Sequence, residues 1–199
     1  EAIALPASVS DIEQLQAMVE KTRQHWGGID ILVCNAATNS QYGPINELPD
    51  TMFQKVINNN VLSNVQLAKM AYPDMAKAKD GAIILIASVG AMISAPGVGF
   101  YNLSKAAQCS LARSLATEWG PDNIRVNAIA LGLIETDMSA SLFTDPKVKA
   151  RIIAGVPLRR IGQPEDIGGL AAFLAGPQGS FITGTTIVAD GGVSVSAAI

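Results

Sequence analysis

Tyr101 and Lys105 stand four residues apart in the stretch FYNLSKAA. On a helix that spacing sets both side chains on one face. A phenol ordinarily titrates near pH ~10. An ammonium roughly 4 Å away, at an effective dielectric near 20, couples to it by about 4 kcal/mol, or roughly three pKa units before desolvation opposes the effect. The spacing therefore predicts a tyrosine tuned towards the neutral range and able to pass a proton. Ser88 precedes Tyr101 by thirteen residues and closes the apolar run AIILIAS, so its hydroxyl is placed to polarise a carbonyl beside the phenol. A nucleophilic serine is the weaker reading. IASVG lacks the first glycine of a nucleophile elbow, and the one histidine, His25, lies on an early polar helix where it reads as a surface residue. A Tyr and Lys at this spacing often only decorate a solvated helix face. The added serine is what points to chemistry.

These groups need elements that hold them. Ser10 followed by Glu13 reads as a capping box, and Ile12, Leu15, Val19 and Trp26 recur at helical spacing, which predicts a helix over 11–26 ended by GGID. IDILVCNAA is a short, nearly unbroken apolar run, the pattern of a strand covered on both faces. The cycle repeats: a helix at 50–71 and the strand AIILIAS, a helix at 100–119 and the strand IRVNAIA, a helix at 164–175 and the strand TTIVAD. This rhythm predicts an α/β fold, a doubly wound parallel sheet of Rossmann-like type with right-handed crossovers. Ligands of such sheets sit at the carboxyl ends of the strands. Those ends hold Asn35, Ala36 and Ala37, then Ser88, then residues 131–136, then Asp190 to Gly192. Taken one at a time, such small and polar residues are ordinary turn chemistry.

Bulk properties narrow the function. With 199 residues, 49% hydrophobic and 16% charged, the chain is long enough for one domain with a sizeable core and too apolar for disorder. The net charge of −3 and the scattered Lys and Arg exclude a nucleic-acid footprint. No apolar run reaches eighteen residues and the first twenty lack signal-peptide character, so a soluble, cytoplasmic protein without membrane contact is expected. Cys34 and Cys109 are too few for a metal knuckle or a disulfide framework.

Together these motifs resemble the classical short-chain dehydrogenase/reductase family, from residue 1 to about 193. The Y-x-x-x-K of Tyr101 and Lys105 with its upstream serine matches that family's active-site pattern. CNAA is similar to its N-N-A-G turn, FQKVINNNVLSN to the helix bearing its catalytic asparagine, here Asn60, and IRVNAIALGLIETDM to its R-V-N-x-I-x-P-G segment. The resemblance implies reversible hydride transfer between NAD or NADP and a small-molecule carbonyl or secondary alcohol, as in carbonyl reductases. By it, Ser88 holds the carbonyl oxygen, Tyr101 donates the proton, Lys105 tunes the tyrosine and binds the nicotinamide ribose, and Asn60 holds a relay water. Asn35, Ala36, Ala37, Gly132, Ile134 and Thr136 line the cofactor, and residues 138–142 form part of a substrate lid. A homodimer or homotetramer is implied as well.

Departures from the pattern are equally specific. The strand, glycine-rich turn and helix that hold a pyrophosphate are missing from the sequence. GVG at 97–99 is no substitute, and roughly fifty to sixty residues, two βα units, precede the corresponding start in the family. The expectation is a single Rossmann-like domain over 1–199 that is an N-terminally truncated fragment, with residues 2–7 an unpaired strand and DILVCNA an exposed edge. Ser8 stands where the family has an adenine-contacting aspartate, Ala37 replaces a glycine, and Leu131 replaces a proline, which predicts a looser turn. The competing reading is a non-catalytic, oligomer-forming remnant that cannot bind the dinucleotide, using apolar positions on the helices around 61–70 and 106–115.

Overall fold

A computed structural model describes residues 1–39 and 41–196. Four parallel strands, β1 (Ile31–Cys34), β2 (Gly81–Ser88), β3 (Ile124–Leu131) and β4 (Thr186–Ala189), lie side by side in the order β1-β2-β3-β4. The helices α1 (Ile12–Trp26), α2 (Asp50–Ile57), α3 (Ser63–Ala78), α4 (Gly99–Trp119), α5 (Pro146–Gly155) and α6 (Pro164–Ala175) connect them. The α/β architecture is the expected doubly wound one. Residues 2–7 form no strand.

Side-chain alternation along β2 divides the core in two. Ile83, Leu85 and Ala87 point to one face, where Leu15 of α1, Leu67 and Ala68 of α3, and Cys109 and Ala112 of α4 cover them. Ile84 and Ile86 point to the other, against Ile129, Ile167 and Leu174. Residues 81–87 are buried throughout, and each large aliphatic side chain so removed from water contributes about 1.5–3 kcal/mol. β1 is the exposed edge expected above and not a strand covered on both faces. Although Leu32 and Cys34 face the α1 and α3 side, Ile31 and Val33 are 52% and 45% exposed. They pair with Ala82 and Ile84 and thus look towards the α6 side, which α6 does not reach across to cover.

Local details correct the boundaries read from sequence. Asp11, not Ser10, caps α1: its carboxylate accepts from the amides of Glu13 and Gln14 at 3.0 and 3.2 Å, whereas the Ser10 hydroxyl bonds Ser8. Gly27 ends the helix at φ 86°, a left-handed conformation glycine adopts freely. The expected apolar stripe is shorter than its spacing implied, because Ile12 and Trp26 lie exposed while Leu15 and Val19 are buried. The helix expected to stop near 71 continues to Ala78 with Pro73 inside it. It is interrupted midway: α2 passes through a π turn, Asn58–Leu62, into α3, and the Ser63 amide donates to Asn58 O, five residues back. A further helix, α5, follows the proposed lid and was absent from the sequence reading.

Arg125 locks the far end of the fold. Its guanidinium donates to the carbonyls of Leu174, Ala175 and Gly179, so a β3 side chain satisfies the orphan groups at the C-terminal end of α6. Burial lowers its pKa, which keeps the cation dependent on those partners. Arg125→Leu is expected to lower the unfolding free energy by about 2–3 kcal/mol, read from the urea midpoint at constant m.

Candidate active site

The carboxyl ends of the central strands are level, because the ladder runs from Gly81↔Ile124 to Ser88↔Leu131 and Leu131 pairs in turn with Ala189. Leu131 therefore extends the ladder instead of loosening a turn. A proline could not donate there. Gly132 follows, its amide bonded to Ala189 O at 2.9 Å, and a Cβ on it would lie 2.6 Å from the Asp190 Cα. Only glycine lets the two strand ends approach so closely.

Ser88 ends β2 and accepts the Gly90 amide at 3.1 Å, which occupies an oxygen lone pair and leaves the hydroxyl proton to donate. α4 returns over this strand end and brings Tyr101 to Ser88. The phenol is half-buried, and its pKa is raised by desolvation, with the Ser88 hydroxyl acting in the opposite sense. Lys105 is 2% exposed, with Nζ 2.7 Å from Ile86 O and 5.4 Å from the Tyr101 ring centroid. Burial lowers its pKa to about 8. The expected electrostatics are thus corrected. The ammonium points at a β2 carbonyl and not at the phenolic oxygen, so burial governs the tyrosine and keeps it protonated at neutral pH.

Asn60 sits within the π turn and is wholly buried. Its Oδ1 accepts the Thr38 amide at 2.8 Å, and its Nδ2 donates to Thr38 O and to Ser104 Oγ, both at 3.0 Å. Ser104 in turn donates to Tyr101 O at 2.7 Å. Asn60 therefore ties the loop of Asn35, Ala36 and Ala37 to the tyrosine helix. With both Nδ2 protons engaged, the side chain is a tether; a relay water would have to be held by main-chain atoms. Thr38 and Ser104 were missed in the sequence, although Ser104 lies three residues after Tyr101 and so on an adjoining face.

Beyond Gly132, Ile134 bridges to Gly162 and its carbonyl accepts from Ser139 Oγ at 2.6 Å. Ser139 Oγ also accepts the Thr136 amide at 3.0 Å, closing a capping box that starts the turn Asp137–Phe143. The spacing of Thr136 and Ser139 is the signal that would have revealed it. Met138 and Leu142 on that turn are exposed. A cavity of about 180 Å³ opens behind it, between Ile134, Val156, Leu158, Ile167 and Gly191, and does not extend over Tyr101. His25 is exposed, 3.4 Å from a Glu1 carboxylate oxygen and far from the site.

The structure thus gathers Ser88, Tyr101 and Lys105 at one strand end, links Asn60 and the Asn35 loop to them through Ser104, and sets Gly132 on the neighbouring strand. A Rossmann-like α/β domain with a Ser-Tyr-Lys cluster at its strand ends is the class this defines. The family model described as enoyl-(acyl carrier protein) reductase matches residues 1–194. Dehydrogenase/reductase SDR family member 4 of Sus scrofa is 40% identical over 184 residues, 92% of this chain and 65% of that protein. The human protein of the same name is 37% identical over 92% of this chain and 66% of its own length. Among solved structures, a short-chain type dehydrogenase/reductase from Mycobacterium marinum superposes with a TM-score of 0.91 at 33% identity, covering 98% of this chain and 77% of that one. A gluconate 5-dehydrogenase from Burkholderia cenocepacia, solved with NADP and tartrate, gives 0.90 at 26% identity over 96% and 74%. The chain belongs to the short-chain dehydrogenase/reductase family. It spans about 65% of the length of the curated relatives it matches.

The buried ammonium makes stability depend on pH. Between about pH 8 and its ordinary value of 10.5, Lys105 stays protonated in the unfolded chain but releases its proton in the folded one. The unfolded state then binds more of the Lys105 proton, so this group's contribution to stability rises with pH over the window, while the buried Cys34 thiol, pushed up to about 12, and the raised Tyr101 phenol contribute in the opposite sense. The lysine is therefore read by difference: from pH 8 to 10 the urea midpoint of the native chain should climb more, or fall less, than that of Lys105→Met. Equal slopes in the two proteins would contradict the assigned burial.

Proposed function

We propose that this chain carries the catalytic part of an NAD(P)-dependent oxidoreductase that interconverts a carbonyl and a secondary alcohol. The observation that carries the reading is the placement of Ser88, Tyr101 and Lys105 around one strand end of a domain of this family. The cofactor, NAD or NADP, supplies the hydride. The donor set fits its nicotinamide riboside half: the Lys105 ammonium and Tyr101 phenol suit ribose hydroxyls, and the exposed Asn35 and Thr136 suit hydroxyl and carboxamide groups. Among the described residues no glycine-rich strand-turn-helix offers amides to a pyrophosphate, so the fit is to that half alone.

The chain's own groups divide the work. Ser88, its oxygen already engaged by Gly90, donates to the substrate oxygen. Tyr101 holds its proton at neutral pH because its pKa is raised, which suits it to protonate that oxygen in the reducing direction. Lys105, still mostly charged at pH 7, supplies positive potential when the alcohol is oxidised and the phenol must accept a proton. The backbone of Ile134 and the Thr136 side chain would hold the nicotinamide carboxamide, and the exposed Met138 and Leu142 would offer an apolar lid to the substrate.

The remnant reading loses one of its two supports, the apolar helix positions, because Leu67, Ala68, Cys109, Ala112 and Leu115 are buried in the chain's own core. Exposed Leu62 and Leu103 remain as surface on which a homodimer or homotetramer could close. Buried, unpaired Cys34 and Cys109 suit a reducing compartment such as the cytoplasm. Among the described residues no helix is long and apolar enough to cross a membrane.

In the full-length protein, Tyr101→Phe should cut turnover of a ketone with NADPH or NADH by about a hundredfold or more. Nucleotide binding, followed by quenching of reduced-cofactor fluorescence, should survive the change. Unaltered turnover in that variant would refute the reading.

A further inference from the structure

The contact between Asn60 and Ser104 has a neighbour the proposed chemistry does not use. α3 and α4 each lead from one strand to the next of the same parallel sheet on the same face, so the two helices run in the same direction. Stepping four residues along both from Asn60 and Ser104, about 6 Å, reaches Asn64 and Gln108. Asn64 is 2% exposed and Gln108 is 0% exposed. The Nδ2 of Asn64 and both polar atoms of Gln108 have no hydrogen-bond partner. Asn64 Oδ1 meets only the Ser63 hydroxyl, at 3.4 Å, and that hydroxyl is committed to Asn59 O at 2.6 Å. One turn further, Ala68 and Ala112 are wholly buried within one apolar core.

Two carboxamides fully out of water with three idle polar atoms would be expensive to keep in a stable fold. One internal water between them answers three of those atoms at once, accepting from Asn64 Nδ2 and Gln108 Nε2 and donating to Gln108 Oε1, within the two to four bonds such waters make. We propose that Asn64 and Gln108 form an internal water-binding site, and that this site is a second rung of the polar seam that keeps the π turn, and with it Asn60, in register with Ser104. Gln108 is thereby a positioning residue for Asn60. It touches neither substrate nor cofactor.

The test uses the full chain and reads no turnover, so its outcome is separate from that of the oxidoreductase reading. Water-to-amide NMR cross-peaks are expected at the side-chain amides of Asn64 and Gln108 in the native protein. Gln108→Met and Asn64→Leu should each weaken the folding equilibrium about tenfold to a hundredfold, since each strands its partner. The double variant, apolar on both sides, should recover to within about tenfold of the native protein. Gln108→Met should also shift the Asn60 side-chain amide resonances and hasten their exchange, whereas Leu174→Ala, a destabilising change on the opposite face of the sheet, should leave them in place. Strictly additive losses, absent water cross-peaks, or an Asn60 signal that follows Leu174→Ala as readily would each overturn the proposal.

Discussion

The pairing of β2 with β3 is the constraint from which the rest follows. Eight consecutive residue pairs bring Ser88 level with Leu131, so one ladder decides where the serine hydroxyl, the following glycine and the returning helix α4 must meet. Both strands are apolar over almost their whole length and covered on both faces, which gives the register little freedom, because a slip of one residue would turn every side chain to the opposite layer. The polar work is thereby pushed to the strand ends, the one place where backbone groups run out of partners.

Burial, more than charge pairing, sets the proton chemistry at that edge. A free cation beside a phenol would acidify it, but Lys105 lies too deep to act as a free cation and spends its proton on Ile86 O. The same desolvation raises the tyrosine and lowers the lysine, whose ammonium lies 5.4 Å from the tyrosine ring centroid.

Polar tethers then convert a rigid sheet into a shaped site. Asn60 reaches both the loop after β1 and the helix of the tyrosine, Ser139 gathers the strand-end segment of Ile134 and Thr136, and Arg125 fastens the opposite end of α6. Each is a buried or half-buried group with several backbone partners; Asn60 and Arg125 connect elements far apart in sequence, whereas Ser139 closes a local turn. The exposed aliphatic side chains of β1 mark a flank of the sheet that lacks such closure.

By itself the sequence determined the alternation of helix and strand, the parallel sheet and the family, and it offered Ser88, Tyr101 and Lys105 as candidates for one site, because hydrophobic periodicity and short spacing are local properties written directly in the chain. The end of α1 at Gly27 and the four strands were legible for the same reason. Only the tertiary structure decided which way the Lys105 ammonium points and that Asn60 rides a π turn and grips Thr38. Those outcomes depend on desolvation and on partners tens of residues away, quantities that arise only once the chain has closed on itself.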